Sequence, residues 1–177
     1  CFRKNSPKLK ALVNEFVKGH KKGTLVGNII LERYLRDTKY VKNPLSQKEL
    51  DKFEALLALF EKYAGQYDFD YLMVSAQAYQ ESGLDHSKKS HAGAIGVMQL
   101  LPSTASDSNV NISEIEKLEN NTHAGTKYMR FIIDRYYKDE PMDNVNKMLF
   151  AFASYNAGPA KVNKLRKKTA KMGLDPN

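Results

Sequence analysis

The chain has 177 residues, 42% of them hydrophobic, and its formal net charge is +8. This length predicts one domain with room for an appendage, and the apolar content is enough for a packed core. The single cysteine, Cys1, excludes an internal disulfide, and no apolar stretch approaches the length needed to span a bilayer. We interpret Cys1 as a cut point in a longer chain, because no signal peptide precedes it and no small-residue tether follows it.

Residues 1–44 form the first predicted unit, which contains two helices. Ser6 as a cap and Pro7 in the first turn begin a helix whose apolar residues recur at helical spacing up to Val17. The stretch from Gly19 to Gly23 interrupts it, and a second helix follows that includes Tyr34 and Leu35. Two such helices are too small for an independent core, so we interpret them as the end of a preceding domain or a pad against the next one.

The next two predicted helices carry clear boundary signals. Ser46 and Glu49 have the spacing of a capping box, and an apolar stripe follows them. Asp68 or Asp70 then caps the segment "YLMVSAQAYQES", which ends at Gly83. Because this segment is apolar nearly all round, we expect it to be a central, buried helix.

The remaining chain also reads as helical. Pro102 opens a short helix, and "ISEIEKL" predicts another. Three longer helices follow in "NNTHAGTKYMRFIIDRYY", "DNVNKMLFAFASYNAG" and "PAKVNKLRKKTAKMG". Since no alternating strand pattern extends beyond a few residues, the fold class is predicted to be all-α.

The positive charge favours an anionic partner, such as a nucleic acid, a membrane surface or an acidic polymer, or else a solvated lysine-rich face. Basic residues concentrate in the last predicted helix, at Lys161, Lys164, Arg166, Lys167, Lys168 and Lys171. No recognised nucleic-acid module accompanies this helix, so we expect no nucleic-acid partner.

An acidic residue, Glu81, falls in the last turn of the apolar helix that ends at Gly83. Low solvation and the negative end of the helix dipole both favour its protonated form. A carboxylic acid with a raised pKa can donate a proton near neutral pH, as cleavage of a glycosidic bond requires. The alternative is a glutamate that points into solvent at a helix end.

Polar and flexible residues follow Glu81 in the segment that begins near Ser90. Gly93 and Gly96 allow a ligand to approach the main chain, and Gln99 offers an amide donor and acceptor. Met98 is a soft apolar surface, although it could equally be a core methionine beside a tight turn.

The helix that ends in "ASYNAG" supplies a second polar pair, Tyr155 and Asn156. A buried tyrosine hydroxyl needs a hydrogen-bond partner, and an acid at a neighbouring helix end would supply one.

The sequence predicts no metal or cofactor. The four histidines, His20, His86, His91 and His123, show no paired ligand spacing. The segment that begins at Asp107 starts like a calcium loop, but it has Ile112 where such a loop needs glycine and Leu118 where it needs glutamate.

Four sequence blocks in a fixed order carry a family resemblance. Glu81-Ser82, "SHAGAIGVMQLLPSTA", "NNTHAGTKYM" and "ASYNAGPAKV" resemble the catalytic domain of soluble-lytic-transglycosylase (SLT) type, in the goose-lysozyme-like superfamily that acts on bacterial peptidoglycan. The resemblance covers about residues 46–177, and the flanks resemble the membrane-bound lytic transglycosylase F group. It implies an all-α, lysozyme-like (goose-type) catalytic domain over residues 45–177, and a helical tail of a preceding solute-binding-protein-like domain over residues 1–44.

The resemblance also implies roles for individual residues. Glu81 would be the only acid/base, cleaving the bond between N-acetylmuramic acid and N-acetylglucosamine and closing a 1,6-anhydro ring. Ser90 and Tyr155 would orient it. The sugar subsites would be lined by Ser82, Met98, Gln99 and Asn156. Because the chain has no tryptophan, sugar stacking would depend on tyrosines such as Tyr79 and Tyr128.

A one-acid mechanism is compatible with the other carboxylates of the sequence. Retaining and inverting glycosidases need a second carboxylate, for which Asp85 and Asp107 are the nearest candidates. Asp85 is better placed to cap a turn. A hydrolytic muramidase and a non-catalytic peptidoglycan-binding module remain the alternatives. The resemblance implies peptidoglycan strands as partner and the bacterial periplasm as location, with attachment to the outer membrane through a longer protein.

Overall fold

The computed structural model describes residues 7–31, 43 and 45–177, and the chain divides into two compact units, Cys1–Leu45 and Ser46–Asn177. The first unit contains α1 (Pro7–His20) and α2 (Leu25–Leu31). Helix α1 begins at Pro7 and ends before Gly23, as the sequence predicts. The cap at Ser6 and the part of the second predicted helix with Tyr34 and Leu35 lie outside the described residues. The assignment of residues 1–44 to a preceding domain stays a prediction.

The second unit is built from helices that pack mainly against their neighbours in the chain. Its helices are α3 (Gln47–Gln66), α4 (Tyr71–Ser82), α5 (Pro102–Ser106), α6 (Leu118–Tyr136), α7 (Asn144–Ala157) and α8 (Pro159–Lys171). Helix α3 packs against α4 and α6, α6 against α5 and α7, and α7 against α8. In the described part of the chain, β-pairing is limited to isolated bridges at Lys89–Ile95 and Ile95–Leu100, which confirms the all-α prediction there. No helix among the described residues is long and apolar enough to cross a membrane.

The core of the second unit lies where α3, α4, α6 and α7 meet. Its innermost side chains come from different elements and are at most 1% exposed: Phe60, Val74, Met98, Met129, Ile132 and Ala151. Met98 is the member that comes from the segment after Glu81, so that segment is anchored in the core rather than lying on its surface.

Helix α4 has the predicted boundaries, but it is not buried all round. A carboxylate oxygen of Asp70 accepts from the main-chain N–H of Leu72 at 2.7 Å, and Gly83 ends the helix with a φ of 71°. The exposed face includes Leu72, which is 52% exposed, while Val74 and Ala78 are buried. The prediction of a fully central helix is therefore wrong, because one stripe of its apolar residues faces solvent.

Helix α3 begins where expected but without the predicted capping box. Ser46 is the N-cap residue, and its side chain makes no capping hydrogen bond. The carboxylate of Glu49 instead pairs with Lys52 at 3.0 Å. An ion pair one turn along the helix has replaced the reciprocal bond to the cap.

The short helix predicted over residues 112–118 does not form. Asn111 and Glu114 have positive φ values of 49° and 55°, which a right-handed helix cannot contain. The N–H of Ile112 donates to the carbonyl of Ala105, and α6 begins only at Leu118. This stretch is a loop held against α5.

Candidate active site

Glu81 lies in the last turn of α4 and is half-buried. Its Oε1 accepts from Nε2 of Gln77 at 2.7 Å. Burial raises the pKa of Glu81, and the nearby ammonium of Lys88 partly opposes this rise. The same ammonium donates to the main-chain carbonyl of Glu81 at 2.8 Å, at the negative end of the helix dipole. The site thus holds a carboxylic acid that keeps its proton to a higher pH than an exposed glutamate does.

The segment from Gly83 to Leu101, here called the glycine loop, follows directly. Ile95 and Leu100 exchange two main-chain hydrogen bonds of 3.0 and 3.1 Å, which closes a tight turn around Met98. The N–H of Gly96 donates to the carbonyl of Lys88 at 3.0 Å. These bonds give the loop a defined shape without a strand or helix.

His86 fastens the glycine loop to the loop that precedes α6. Its Nδ1 accepts from the N–H of Val97 at 3.3 Å, and its Nε2 lies 2.7 Å from the carbonyl of Glu116. The first contact requires an unprotonated Nδ1, so Nε2 carries the hydrogen and donates to that carbonyl. Both ring nitrogens of His86 are therefore used to hold these two loops together.

Asn121, in the first turn of α6, joins three separate main-chain groups. Its Oδ1 accepts from the N–H of Met98 at 2.8 Å, and its Nδ2 donates to the carbonyls of Ile95 and Ile115 at 3.0 Å each. Its side chain is fully buried, and Gly96 packs directly against it. Reasoning from the sequence did not single out Asn121, because nothing local shows that a helical asparagine faces a distant loop.

Gln99 lies in the same loop with a φ of 46°, a conformation that is uncommon for residues other than glycine. Its Nε2 donates to the carbonyls of Lys88 and Gly96, both at 2.9 Å. Both amide hydrogens are thus used within the loop, which leaves the side-chain carbonyl oxygen to accept from a ligand. If Gln99 binds substrate as predicted, it can do so only through its side-chain oxygen, as a hydrogen-bond acceptor.

Tyr155, near the end of α7, contacts Met98 and lies close enough to Glu81 for the charge of the carboxylate to affect its pKa. Its hydroxyl donates to the main-chain carbonyl of Met98 at 2.8 Å, so the partner is this carbonyl and not the acid that the sequence suggests. Burial raises the pKa of Tyr155 well above its usual range, and the negative charge of Glu81 adds to the rise. The ring of Tyr128 packs edge-on against Tyr155, with centroids 5.4 Å apart.

The other predicted site residues have contacts of their own. The hydroxyl of Ser90 accepts from the N–H of Ala94 at 3.0 Å, within the glycine loop. Ser82 is buried, and its hydroxyl donates to the carbonyl of Ala78 at the end of α4. Asn156 is exposed, and its Nδ2 donates to Phe152 one turn back. None of these hydrogen bonds reaches Glu81, so the orienting role of Ser90 and the sugar-binding roles of the other two stay predictions.

Of the tyrosines predicted to stack on sugars, Tyr79 is the less suitable. Its hydroxyl oxygen is buried and has no hydrogen-bond partner among the described residues, and its ring packs against the core. Tyr128 is half-buried and borders a small surface pocket of about 280 Å³ with Phe131. Tyr128 is therefore the better candidate for stacking on a sugar ring.

Both possible second carboxylates are engaged in turns. Asp85 Oδ1 accepts from the N–H and the hydroxyl of Ser87 at 2.9 and 2.6 Å, as the sequence predicts for a turn residue. Asp107 Oδ1 accepts from the N–H and the Nδ2 of Asn109 at 2.9 and 2.7 Å. In each case these hydrogen bonds lower the pKa of the aspartate. Glu81 differs from both in having a raised pKa.

Two further residues at the acid, Gln77 and Lys88, were missed at the level of the sequence. Gln77 precedes Glu81 by four residues, which places both side chains on one face of a helix. This spacing could have identified it. No comparable signal marks Lys88, whose contact depends on the path of the glycine loop.

A helical domain with one half-buried carboxylic acid at a helix end, facing a glycine-containing loop, is the arrangement that the sequence resemblance implied. The family model of the "Transglycosylase SLT domain" matches residues 58–175, which is more than half of the chain. The chain therefore belongs to the SLT transglycosylase family.

Two curated relatives agree with this family. The membrane-bound lytic murein transglycosylase F of Desulfosudis oleivorans is 37% identical over 119 residues, covering 67% of this chain and 25% of that protein. The protein of the same name from Shewanella woodyi is 35% identical over 178 residues, covering 98% of this chain and 35% of that protein. The crystal structure of an inactive mutant of the lytic transglycosylase Slt from Pseudomonas aeruginosa aligns with a TM-score of 0.49 and 20% identity, covering 78% of this chain and 21% of that one. The chain spans about a quarter to a third of the length of these two curated relatives.

Proposed function

We propose that this chain carries a peptidoglycan lytic transglycosylase domain in which Glu81 is the only acid/base. One observation carries the proposal: in a member of the SLT family, the carboxyl with the raised pKa lies at the end of α4, directly before the glycine loop and within electrostatic reach of Tyr155. The substrate is the glycan strand of peptidoglycan, cleaved between N-acetylmuramic acid and N-acetylglucosamine.

In the first step, protonated Glu81 donates its proton to the glycosidic oxygen as the bond to the anomeric carbon breaks. The burial of Glu81 supports this role because it keeps the carboxyl protonated at a pH where exposed glutamates are ionised. The leaving sugar departs with a hydroxyl at the former glycosidic oxygen.

In the second step, ionised Glu81 takes the proton from the 6-hydroxyl of the muramoyl residue. That oxygen attacks the anomeric carbon and closes a 1,6-anhydro ring, which regenerates protonated Glu81. A nucleophile within the substrate has a high effective molarity, so a second protein carboxylate is not needed. The turn-bound states of Asp85 and Asp107 support this, because both are occupied by their own loops.

Residues around the acid would hold the sugar. The side-chain oxygen of Gln99 is suited to accept from a sugar hydroxyl or an N-acetyl N–H, since its amide hydrogens are already used. Tyr155 and Asn121 bind the carbonyl and the N–H of Met98 and so fix the glycine loop that follows Glu81. Ser90 and Asn156 would support the sugar, whereas Ser82 and Met98 are buried and would support the loop and the helix end from the core side.

The test is a digest of purified peptidoglycan by the wild type and by Glu81→Gln, with the released muropeptides weighed by mass spectrometry. Products lighter by one water than reducing-end sugars, absent with Glu81→Gln, are expected. Reducing-end products would instead assign a hydrolytic muramidase. If neither protein released product while both bound insoluble peptidoglycan, the non-catalytic binding module would be favoured.

We further propose that the domain works in the bacterial periplasm as part of a longer protein attached to the outer membrane. The small share of its relatives' length that the chain spans supports a longer protein. Fractionation of cells that express the full-length protein, with detection in outer-membrane and periplasmic fractions, tests this placement.

A further inference from the structure

The acid of this site has a partner on its own helix, one turn earlier. Gln77 is only 3% exposed, although glutamine is ordinarily a surface residue. Its Nε2 lies 2.7 Å from Oε1 of Glu81, a short distance for a bond from a neutral donor to a carboxylate. Gln80, directly before the acid, is exposed and offers a natural comparison.

Burying an amide group is costly unless it is hydrogen-bonded, so the buried Gln77 needs the carboxyl of Glu81 as an acceptor. The bond restricts the side-chain torsions of the glutamate, which would otherwise be free to rotate at a helix end. It also occupies one carboxyl oxygen as an acceptor. A proton on the carboxyl therefore belongs on Oε2, since Oε1 already faces an N–H.

We propose that Gln77 is the positioning residue of the acid: it holds Oε1 so that Oε2 carries the transferable proton in one fixed direction. This inference rests on the proposed function, because it assigns Gln77 to the catalytic cycle of Glu81. Its physical basis, the coupling of the two side chains, exists with or without substrate.

Gln77 also influences the balance between the two states of the acid. A donated hydrogen bond stabilises the ionised carboxylate more than the neutral acid, and so it limits the effect of burial. The other groups that face Glu81 are Lys88 from the glycine loop and Tyr155 from α7, while Lys52 of α3 contacts the carbonyl of Gly83. These groups stay in the chain when Gln77 is replaced, so a shift that an apolar and a polar replacement share can be attributed to the lost donor.

The first test replaces Gln77 by Met, which keeps the length of the side chain and removes the donor. Gln80→Met makes the same chemical change at the exposed neighbour. In each protein the Glu81 carboxyl is titrated by ¹³C NMR, with its signal assigned through Glu81→Gln. We expect the pKa of Glu81 to rise by up to about one unit in Gln77→Met and to stay unchanged in Gln80→Met. An unchanged or lowered pKa in Gln77→Met would overturn the inference.

The second test uses turnover of peptidoglycan across pH. Gln77→Met should lower kcat about tenfold with little change in KM, because the acid is no longer held in one direction. The alkaline limb of its pH profile should move upward, as the protonated acid persists to higher pH. A loss of activity that only follows a loss of folded protein, with no shift of the limb, would mean a merely structural role.

Gln77→Asn provides a second variant in case Gln77→Met does not fold. Its amide is too short to reach Oε1, so the same rise of the Glu81 pKa is expected in a side chain that remains polar. The NMR titration needs no substrate. It can therefore fail while the digest yields anhydro products, or succeed while the digest yields none, which separates this inference from the proposed function.

Discussion

The hydroxyl of Tyr155 donates to the main-chain carbonyl of Met98 at 2.8 Å, and this bond joins the end of α7 to the glycine loop beside Glu81. Met98 is fully buried on the core side of the loop, and its N–H is bound by Asn121 from α6. The N–H and the carbonyl of Met98 are thus bound by side chains from two different helices, α6 and α7. The glycine loop is thus fixed at Met98 by side chains that are far apart in the sequence.

Tyr155→Phe removes this bond and leaves the carbonyl of Met98 without its partner. We expect a loss of about 1–2 kcal/mol in the free energy of unfolding. The rate of product release should fall by more than the loss of folded protein explains, because the loop beside the acid loosens. Denaturant unfolding and the rate of muropeptide release measure the two effects. Tyr128→Phe, which removes the hydroxyl of the neighbouring tyrosine in the same way, is the control and should change activity less.

Replacing Glu81 itself should not harm the fold. Burial raises the pKa of Glu81 above its ordinary value of 4.5, so the ionised form is disfavoured in the folded protein. The contribution of Glu81 to wild-type stability is therefore fully present below pH 4.5 and is lost as pH rises from there through the raised folded pKa. Glu81→Gln has no such loss. Its melting temperature should equal or exceed that of the wild type at pH 7, and the difference should shrink toward pH 4. If the melting temperature of Glu81→Gln, relative to that of the wild type, were lower at pH 7 than at pH 4, this prediction would be contradicted.

Two glycines of the loop allow backbone strain to be separated from crowding. Gly93 and Gly96 have φ values of 86° and 79°, so alanine is strained at both. A Cβ at Gly93 would meet nothing within 4 Å, whereas at Gly96 it would overlap the side chain of Asn121. Gly93→Ala should cost about 1 kcal/mol, and Gly96→Ala clearly more, with a loss of activity. Equal unfolding free energies for the two variants would mean that Asn121 moves away easily.

Local signals in the sequence were enough to predict much of the helical framework. Asp70 and Gly83 mark the two ends of α4 correctly, because capping and left-handed conformations depend on single residues. The raised pKa of Glu81 also follows from its place in the last turn of an apolar helix. By contrast, Glu49 could pair with Lys52 as easily as with a cap, and the pattern of one helix does not decide between them.

The parts that failed depend on tertiary contacts. "ISEIEKL" has a helical pattern, but its loop is held by contacts to α5 and to Asn121. An apolar stripe does not reveal which of its faces a partner will cover, so Leu72 of α4 and Leu149 of α7 are exposed. Likewise, the donors of Gln99 could not be known to be used within its own loop. Residues whose function is to close a loop are identified by their partners rather than by their type.

Asn121 offers the strongest test of how far the glycine loop depends on one side chain. Asn121→Ala leaves the N–H of Met98 and the carbonyl of Ile115 without partners, while the carbonyl of Ile95 keeps its bond from the N–H of Leu100. We expect a loss of roughly 3 kcal/mol in the free energy of unfolding, since each buried unpaired group carries a desolvation cost. Asn120→Ala, which removes a single bond to the carbonyl of Ser113, is the matched control and should cost about 1 kcal/mol. Hydrogen exchange at the amide of Met98 should accelerate in Asn121→Ala beyond what global unfolding explains, because that N–H loses its acceptor directly. If its protection were unchanged, the loop would be held by its other hydrogen bonds, such as those of Tyr155 and His86, and Asn121 would have no role in shaping it.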